Sequence, residues 1–210
     1  VPTLPAKTLT AVLLVATLPL ANPQSGYRLL VEPCDEELSS YHVADPGGAA
    51  VDLPFEVQAA LYCAYGVGLA PGGRFLLYPL FDADGVETIH VYDLAEGAET
   101  DKVTLPPAEL DALGYAWSEN PTRFALAPGD RANPLYYRTY VFQLSPEGRL
   151  SAIGAYDLRL KPVCGPDGIC EPLAGESFYF ADAHTLVYRT WEREEDEPDG
   201  PKTLQKLKLP

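Results

Sequence analysis

Arg74-Phe75-Leu76-Leu77-Tyr78, entered through Gly68-Leu69-Ala70-Pro71-Gly72-Gly73, reads as a β-strand behind a tight turn, and the chain repeats it. The same phrase returns as Arg123-Phe124-Ala125-Leu126, entered through Tyr115-Ala116-Trp117-Ser118-Glu119-Asn120-Pro121-Thr122. Behind each phrase stands a second strand-like run. These are His90-Val91-Tyr92-Asp93-Leu94 and, one position out of step, Tyr140-Val141-Phe142-Gln143-Leu144. A third copy is Phe178-Tyr179-Phe180-Ala181-Asp182-Ala183-His184 leading into Thr185-Leu186-Val187-Tyr188, and a weaker one opens the series at Tyr27-Arg28-Leu29-Leu30-Val31.

The spacing supports one repeated unit. Arg28, Arg74 and Arg123 stand 46 and 49 residues apart, and Thr185 follows 62 residues later. The second strand keeps a similar beat: His42 to His90 is 48, Tyr92 to Phe142 is 50, and Phe142 to Leu204 is 62. The long last step contains Cys164 to Cys170, so an insertion there accounts for it. Turn signals at Asp82-Ala83-Asp84-Gly85, Pro146-Glu147-Gly148 and Asp199-Gly200-Pro201 divide each unit into about four short strands. A sheet of this kind buries its two faces only against neighbours, which is why the unit repeats. The expected fold is all-β: a propeller-like array of about four four-stranded antiparallel sheets, in a closed or partial ring. Little is helical. Pro106 to Leu113 suits a turn or two of helix, and Leu53 to Tyr65 reads equally as helix or strand.

The phrase Ala70-Pro71-Gly72-Gly73-Arg74-Phe75-Leu76-Leu77-Tyr78 resembles the Ser-Pro-Asp-Gly blade motif of TolB-like and WD-repeat-like β-propellers. Trp117-Ser118-Glu119-Asn120-Pro121 and Phe180-Ala181-Asp182-Ala183-His184 resemble degenerate forms of it. The likeness runs from Tyr27 to Leu209 and is strongest over residues 68 to 145. It departs from the family at Gly72, where the motif has Asp, and in the number of units. It implies a fold and carries over no catalytic residue.

The 210 residues suffice for one domain with a substantial core, assigned to 26–210. Seventeen Gly and 21 Pro suit many strands joined by tight turns. The formal net charge of −15 repels phosphate backbones, so nucleic acid is excluded as a partner; a protein partner or a cation is compatible. Residues 1–25 differ: Lys7 precedes an apolar run from Leu9 to Ala21, followed by Asn22-Pro23-Gln24-Ser25. That order reads as a secretory signal, with a buried apolar N-terminal segment as the alternative. The run is shorter than the ~20 residues of a membrane helix, so no span is expected in the mature chain. Four cysteines suit the same oxidising compartment, outside the cytosol or in a periplasm. Of the three pairings, Cys164–Cys170 with Cys34–Cys63 is favoured, because the first pair brackets a short turn-rich loop.

Chemistry is sparse. The sequence has no Gly-x-Ser-x-Gly elbow, no phosphate-binding glycine loop and no His-Glu-x-x-His. Asp82, Asp84 and Glu87 offer alternating carboxylates around a Gly, a weak calcium candidate against a plain Asp-Gly hairpin turn. The run Glu192 to Asp199 reads as a solvated hairpin tip. Trp117, Tyr136, Tyr137, Tyr140 and Trp191 are candidates for an aromatic binding face or for cross-strand packing. The expected function is a secreted or periplasmic non-enzymatic binding or assembly platform, an oligomer if the ring is incomplete. A carbohydrate- or peptide-directed hydrolase or lyase of the envelope, and a structural envelope or filament subunit, are the alternatives.

Overall fold

The computed structural model describes residues 26–34, 39–64, 66–83, 86–106, 114–128, 137–164, 170–191 and 202–210. The chain opens with an antiparallel hairpin, β1 (Arg28–Pro33) and β2 (Ser39–Ala44), followed by a short helix, α1 (Phe55–Leu61). The first full sheet runs in chain order through β3 (Gly68–Leu69), β4 (Phe75–Phe81), β5 (Glu87–Asp93) and β6 (Ala98–Thr104). The second repeats the meander with β7 (Ala116–Glu119), β8 (Thr122–Leu126), β9 (Tyr137–Leu144) and β10 (Leu150–Leu158). After a two-residue ladder of β11 (Val163–Cys164) and β12 (Cys170–Glu171) comes a third sheet. It consists of β13 (Phe178–Asp182), β14 (Thr185–Trp191) and β15 (Lys202–Lys208).

This is an all-β, propeller-like array with one helix among the described residues. The four sequence units are all present, though unequally built. The two central ones are complete four-stranded meanders, while the last shows three strands among the described residues. The first is a hairpin, because the chain after β2 turns into α1 instead of adding strands. The expected insertion is β11–β12, lying between the second and third sheets. The stretch from Leu53 to Tyr65, ambiguous in sequence, contains a helix because Val57 and Leu61 fall one turn apart and both bury on the same side. The expected helix near Pro106 to Leu113 falls mostly outside the described residues.

Side-chain alternation explains why the sheets stack. In β4, Leu76 and Tyr78 point to a layer shared with Tyr27, Leu29 and Val43 of the hairpin and Val57 and Leu61 of α1. Phe75 and Leu77 point the other way, into a layer with Phe124, Leu126, Phe142 and Leu144 of the second sheet. Ala125, Ala127 and Val141 then face a third layer with Phe178 and Leu186 of the last sheet. Each central sheet is therefore apolar on both faces, as a strand pattern without polar alternation requires. Layers and sheets alternate along the arc. The innermost strands keep company as well: β1 lies beside β3, and β13 beside β7.

The faces reveal a displacement that letters alone hide. Leu76 and Tyr78 face back toward the hairpin, and the residues of β8 that face back toward the first sheet are Phe124 and Leu126. An even step preserves the face, because side chains alternate with period two. The Arg-Phe phrase recurs at an odd step of 49. Phe75 and Phe124 therefore sit on opposite faces of their sheets and meet in the same layer. The steps of 46 and 62 are even and keep the face: Leu29 with Phe75, and Phe124 with Leu186.

Turns also join sheets. Gly148, with φ +75°, packs its turn so closely that an added Cβ would lie 2.7 Å from Phe75 and 2.5 Å from Thr100. Thr100 Oγ1 donates to the Gly148 carbonyl at 3.0 Å, and the Leu150 amide donates to Asp101 at 2.7 Å. The β9–β10 turn is thus fastened to β6 of the preceding sheet. At the inner side, the Tyr27 amide donates to the carbonyl of Gly73, whose φ of +72° only glycine adopts without cost.

Phe124 is fully buried between two sheets and ringed by Tyr115, Trp117 and Phe142, with centroids 5.2 to 5.5 Å away. Phe124→Ala is expected to cost about 3–5 kcal/mol in urea denaturation. A loss below about 1 kcal/mol would show that the sheets do not depend on that layer.

Candidate functional site

Arg74 and Arg123 open the two copies of the repeated phrase. Arg74 precedes β4, and Asp93 ends β5 opposite Phe75. The guanidinium grips Asp93 with two groups, Nε at 3.0 Å from both carboxylate oxygens and Nη2 at 2.6 Å from Oδ2. Asp93 is 2% exposed while Arg74 is 46% exposed, so the pair spans the boundary between core and solvent. Asp93 also accepts the Ala95 and Glu96 amides, which closes the β5–β6 turn. The Arg74 hydrogen bonds, aided by those amides, hold the Asp93 carboxyl below the ordinary carboxylate range.

Arg123 does something else. The place opposite Phe124 that Asp93 holds opposite Phe75 is taken by Phe142, which stacks on Phe124. With no carboxylate there, the buried Arg123 reaches across to the third sheet. Its Nη1 donates to the Ala183 carbonyl at 2.8 Å and the Pro210 carbonyl at 2.9 Å, beside the His184 ring. That sheet's own turn is capped by Asp182, whose carboxylate accepts the His184 amide at 2.8 Å and is held below its usual range by that bond. Arg74 therefore stabilises a turn within its sheet, and Arg123 ties one sheet to the next.

A second polar cluster lies on the face of the first sheet toward the hairpin and α1. His90 stacks on Tyr78, with centroids 5.4 Å apart, and its Nδ1 meets the Glu99 carboxylate. Burial, with Glu99 nearby, pushes the Tyr78 phenol up to about 12, so the hydroxyl stays protonated. His90 is buried under that ring. His42, at the matching place in the hairpin, is exposed and lies 3.6 Å from Glu32. Tyr115 is half-buried and packs against Gly68, its buried hydroxyl has no hydrogen-bond partner, and desolvation raises its phenol well above the ordinary value.

The remaining sequence candidates fall in different places. Asp82 is exposed, and its carboxylate accepts the Val86 amide at 2.9 Å. Glu87 is buried at the start of β5, and Asp84 lies outside the described residues. Among the described residues no three metal-ligating side chains converge. Cys34 and Cys63 form a disulfide with Cα atoms 5.5 Å apart, within the usual range. Cys164 and Cys170 stand directly opposite each other in β11–β12; their side chains lie outside the described residues. Trp117, Tyr137 and Tyr140 pack into the layers between sheets. Tyr136 and the side chain of Trp191 are outside the described residues, as is the run from Glu192 to Asp199. Among the described residues the most exposed aromatics are instead Phe55 and Tyr62, at the two ends of α1, ahead of Phe81 at the end of β4. Sequence reading missed them because the segment's secondary structure, and hence its faces, was open.

No protein-family model matches the chain, and no curated protein matches it. Among solved structures it is similar to the β-propeller domain of the Trilobed protease from Pyrococcus furiosus. The identity is 11% over 87% of this chain and 53% of that chain, with a TM-score of 0.47. It is similar to a hypothetical selenium-binding protein from Sulfolobus tokodaii, 14% identical over 87% of this chain and 47% of that one, TM-score 0.47. TolB from Acinetobacter baumannii matches at 15% identity over 89% of this chain and 50% of its own, TM-score 0.39. The chain spans about half the length of these structures. The propeller-like assignment stands on the sheets described above. No described helix is long and apolar enough to cross a membrane.

Asp93 supplies a pH test. Its carboxyl is depressed in the folded chain, so its stabilisation is full above the unfolded carboxyl value near ~4 and fades as pH falls toward the folded value. Asp93→Asn is expected to flatten the acid side of the stability–pH curve below about pH 4. An acid limb identical to that of the unchanged protein would remove Asp93 from this account.

Proposed function

We propose that this chain is a non-enzymatic binding and assembly platform that works outside the cytosol, secreted or in a periplasm. The observation that carries the reading is how the repeated side chains are used. Arg74, Asp93, Arg123 and Asp182 all form bonds that close turns or tie sheets together. The unit is thereby a scaffold element, and its repetition makes an extended surface. The Cys34–Cys63 disulfide supports an oxidising compartment, as does the signal-like composition of residues 1–25. The acidic balance of the chain favours a protein partner over nucleic acid.

Two measurements test this. Peptide mapping of native protein under non-reducing conditions is expected to recover Cys34 joined to Cys63, and free thiols at both would overturn the extracytosolic reading. The intact chain used as bait in its native extract should retain a partner saturably. A turnover of carbohydrate or peptide substrates at preparative concentration, with no saturable partner, would favour the hydrolase reading instead.

A further inference from the structure

The helix α1 has two apolar sides, and only one is covered. Val57 and Leu61 face inward, into the layer with Leu76 and Tyr78. Phe55, Ala59 and Tyr62 are spaced by four and three residues, which places them along one side of a helix. All three are exposed, Phe55 at 80% and Tyr62 at 70%. An aromatic left open in this way forgoes the stabilisation that burial would give. These two are the most exposed large apolar side chains among the described residues.

The stripe is held rigidly. Cys63 follows Tyr62 directly and is bonded to Cys34 at the end of the hairpin strand β1. Gln58 fastens the start of the helix by donating to the Leu53 carbonyl at 2.6 Å. The Ala64 amide donates to Ser39 at the start of β2. A surface fixed before binding loses little conformational freedom when it binds. The segment that carries the stripe is acidic in sequence. Residues 26–62 contain Glu32, Asp35, Glu36, Glu37, Asp45, Asp52 and Glu56 against the single basic residue Arg28. Asp52 and Glu56, next to Phe55, are exposed.

We propose that Phe55, Ala59 and Tyr62 form the docking surface of the platform, and that its occupant is a basic segment of a partner protein bearing aliphatic side chains. The aromatics supply the anchors that dominate binding energy, and the exposed Asp52 and Glu56 near Phe55 select positive charge. This inference rests on the platform reading and adds where the partner sits and what chemistry it carries. A second copy of this chain fits less well, because the segment is strongly acidic and copies would repel there.

The test uses the intact disulfide-bonded chain and three short labelled peptides: one of Leu and Lys in amphipathic order, one of Ser and Lys with equal charge, and one of Leu and Glu. Binding is followed by fluorescence anisotropy and located by amide hydrogen exchange. The Leu/Lys peptide should bind, protect residues 55–62, and weaken at least about tenfold with Phe55→Ser plus Tyr62→Ser. Those side chains are exposed, so the variant is expected to keep the unfolding midpoint of the unchanged protein. The other two peptides should bind at least about tenfold more weakly. Equal binding by the Ser/Lys peptide, protection elsewhere on the sheets, or an affinity indifferent to the double variant overturns the proposal. So does self-association of the chain through α1 in sedimentation. The bait experiment above requires nothing of α1, so failure of the platform reading and failure of this surface are read separately.

Discussion

A sheet apolar on both faces cannot stand alone, and that constraint organises this chain. The second sheet turns Phe124, Leu126, Phe142 and Leu144 one way and Ala125, Ala127 and Val141 the other. Neither face tolerates water, so a sheet must lie on each side. The large aromatics crowd one layer and the small alanines line the next, so the two layers are filled by different partners. Phe178 and Leu186 of the third sheet press toward the alanines. Shape complementarity between unlike faces, more than identity between like ones, sets how neighbouring units fit.

The arginines follow from the same constraint. In the first sheet the place opposite Phe75 is polar, so Asp93 stands there and Arg74 closes on it. In the second the equivalent place is filled by Phe142, since that face now meets Phe75 and Leu77. Packing thus took away the carboxylate, and Arg123 turns one guanidinium nitrogen, Nη1, to two carbonyls of the third sheet, while its buried Nε has no hydrogen-bond partner. A buried guanidinium needs acceptors wherever it finds them. Two identical residues in a repeated phrase therefore serve different bonds, one local and one between sheets.

Much of the architecture was legible because strands of Val, Leu, Tyr and Phe separated by Gly and Pro turns write themselves plainly. The spacing located four units, and the long final step located the β11–β12 insertion. What the letters hid was phase. Arg74-Phe75 and Arg123-Phe124 match by eye, yet an odd step of 49 puts their aromatics on opposite faces. Only knowledge of which face is buried reveals this, and a sheet buried on both sides has no polar alternation to reveal it. The candidate site was less legible. Trp117, Tyr137 and Tyr140 attracted attention as aromatics, and burial claimed them. Phe55 and Tyr62 went unremarked because Phe55 to Leu61 fits helix and strand equally until Val57 and Leu61 are seen to bury together.

The helix and its disulfide also show where novelty enters a repeat. Positions inside the central sheets answer to two neighbours at once, so a change at Phe124 or Val141 is felt in two sheets. Among the described residues, the segment from Asp45 to Val67 packs on Leu76 and Tyr78 of β4 and on Val43 of β2, in one layer. Phe55 and Tyr62 stand outside that layer. A disulfide joins Cys34 to Cys63, 29 residues apart, restricting the unfolded chain by an amount worth about 3.6 kcal/mol in loop-closure terms. That stabilisation offsets what a hairpin and a short helix lack beside a four-stranded sheet. The flank can then hold Phe55 and Tyr62 in water without unravelling, which a seven-residue helix on its own could not do.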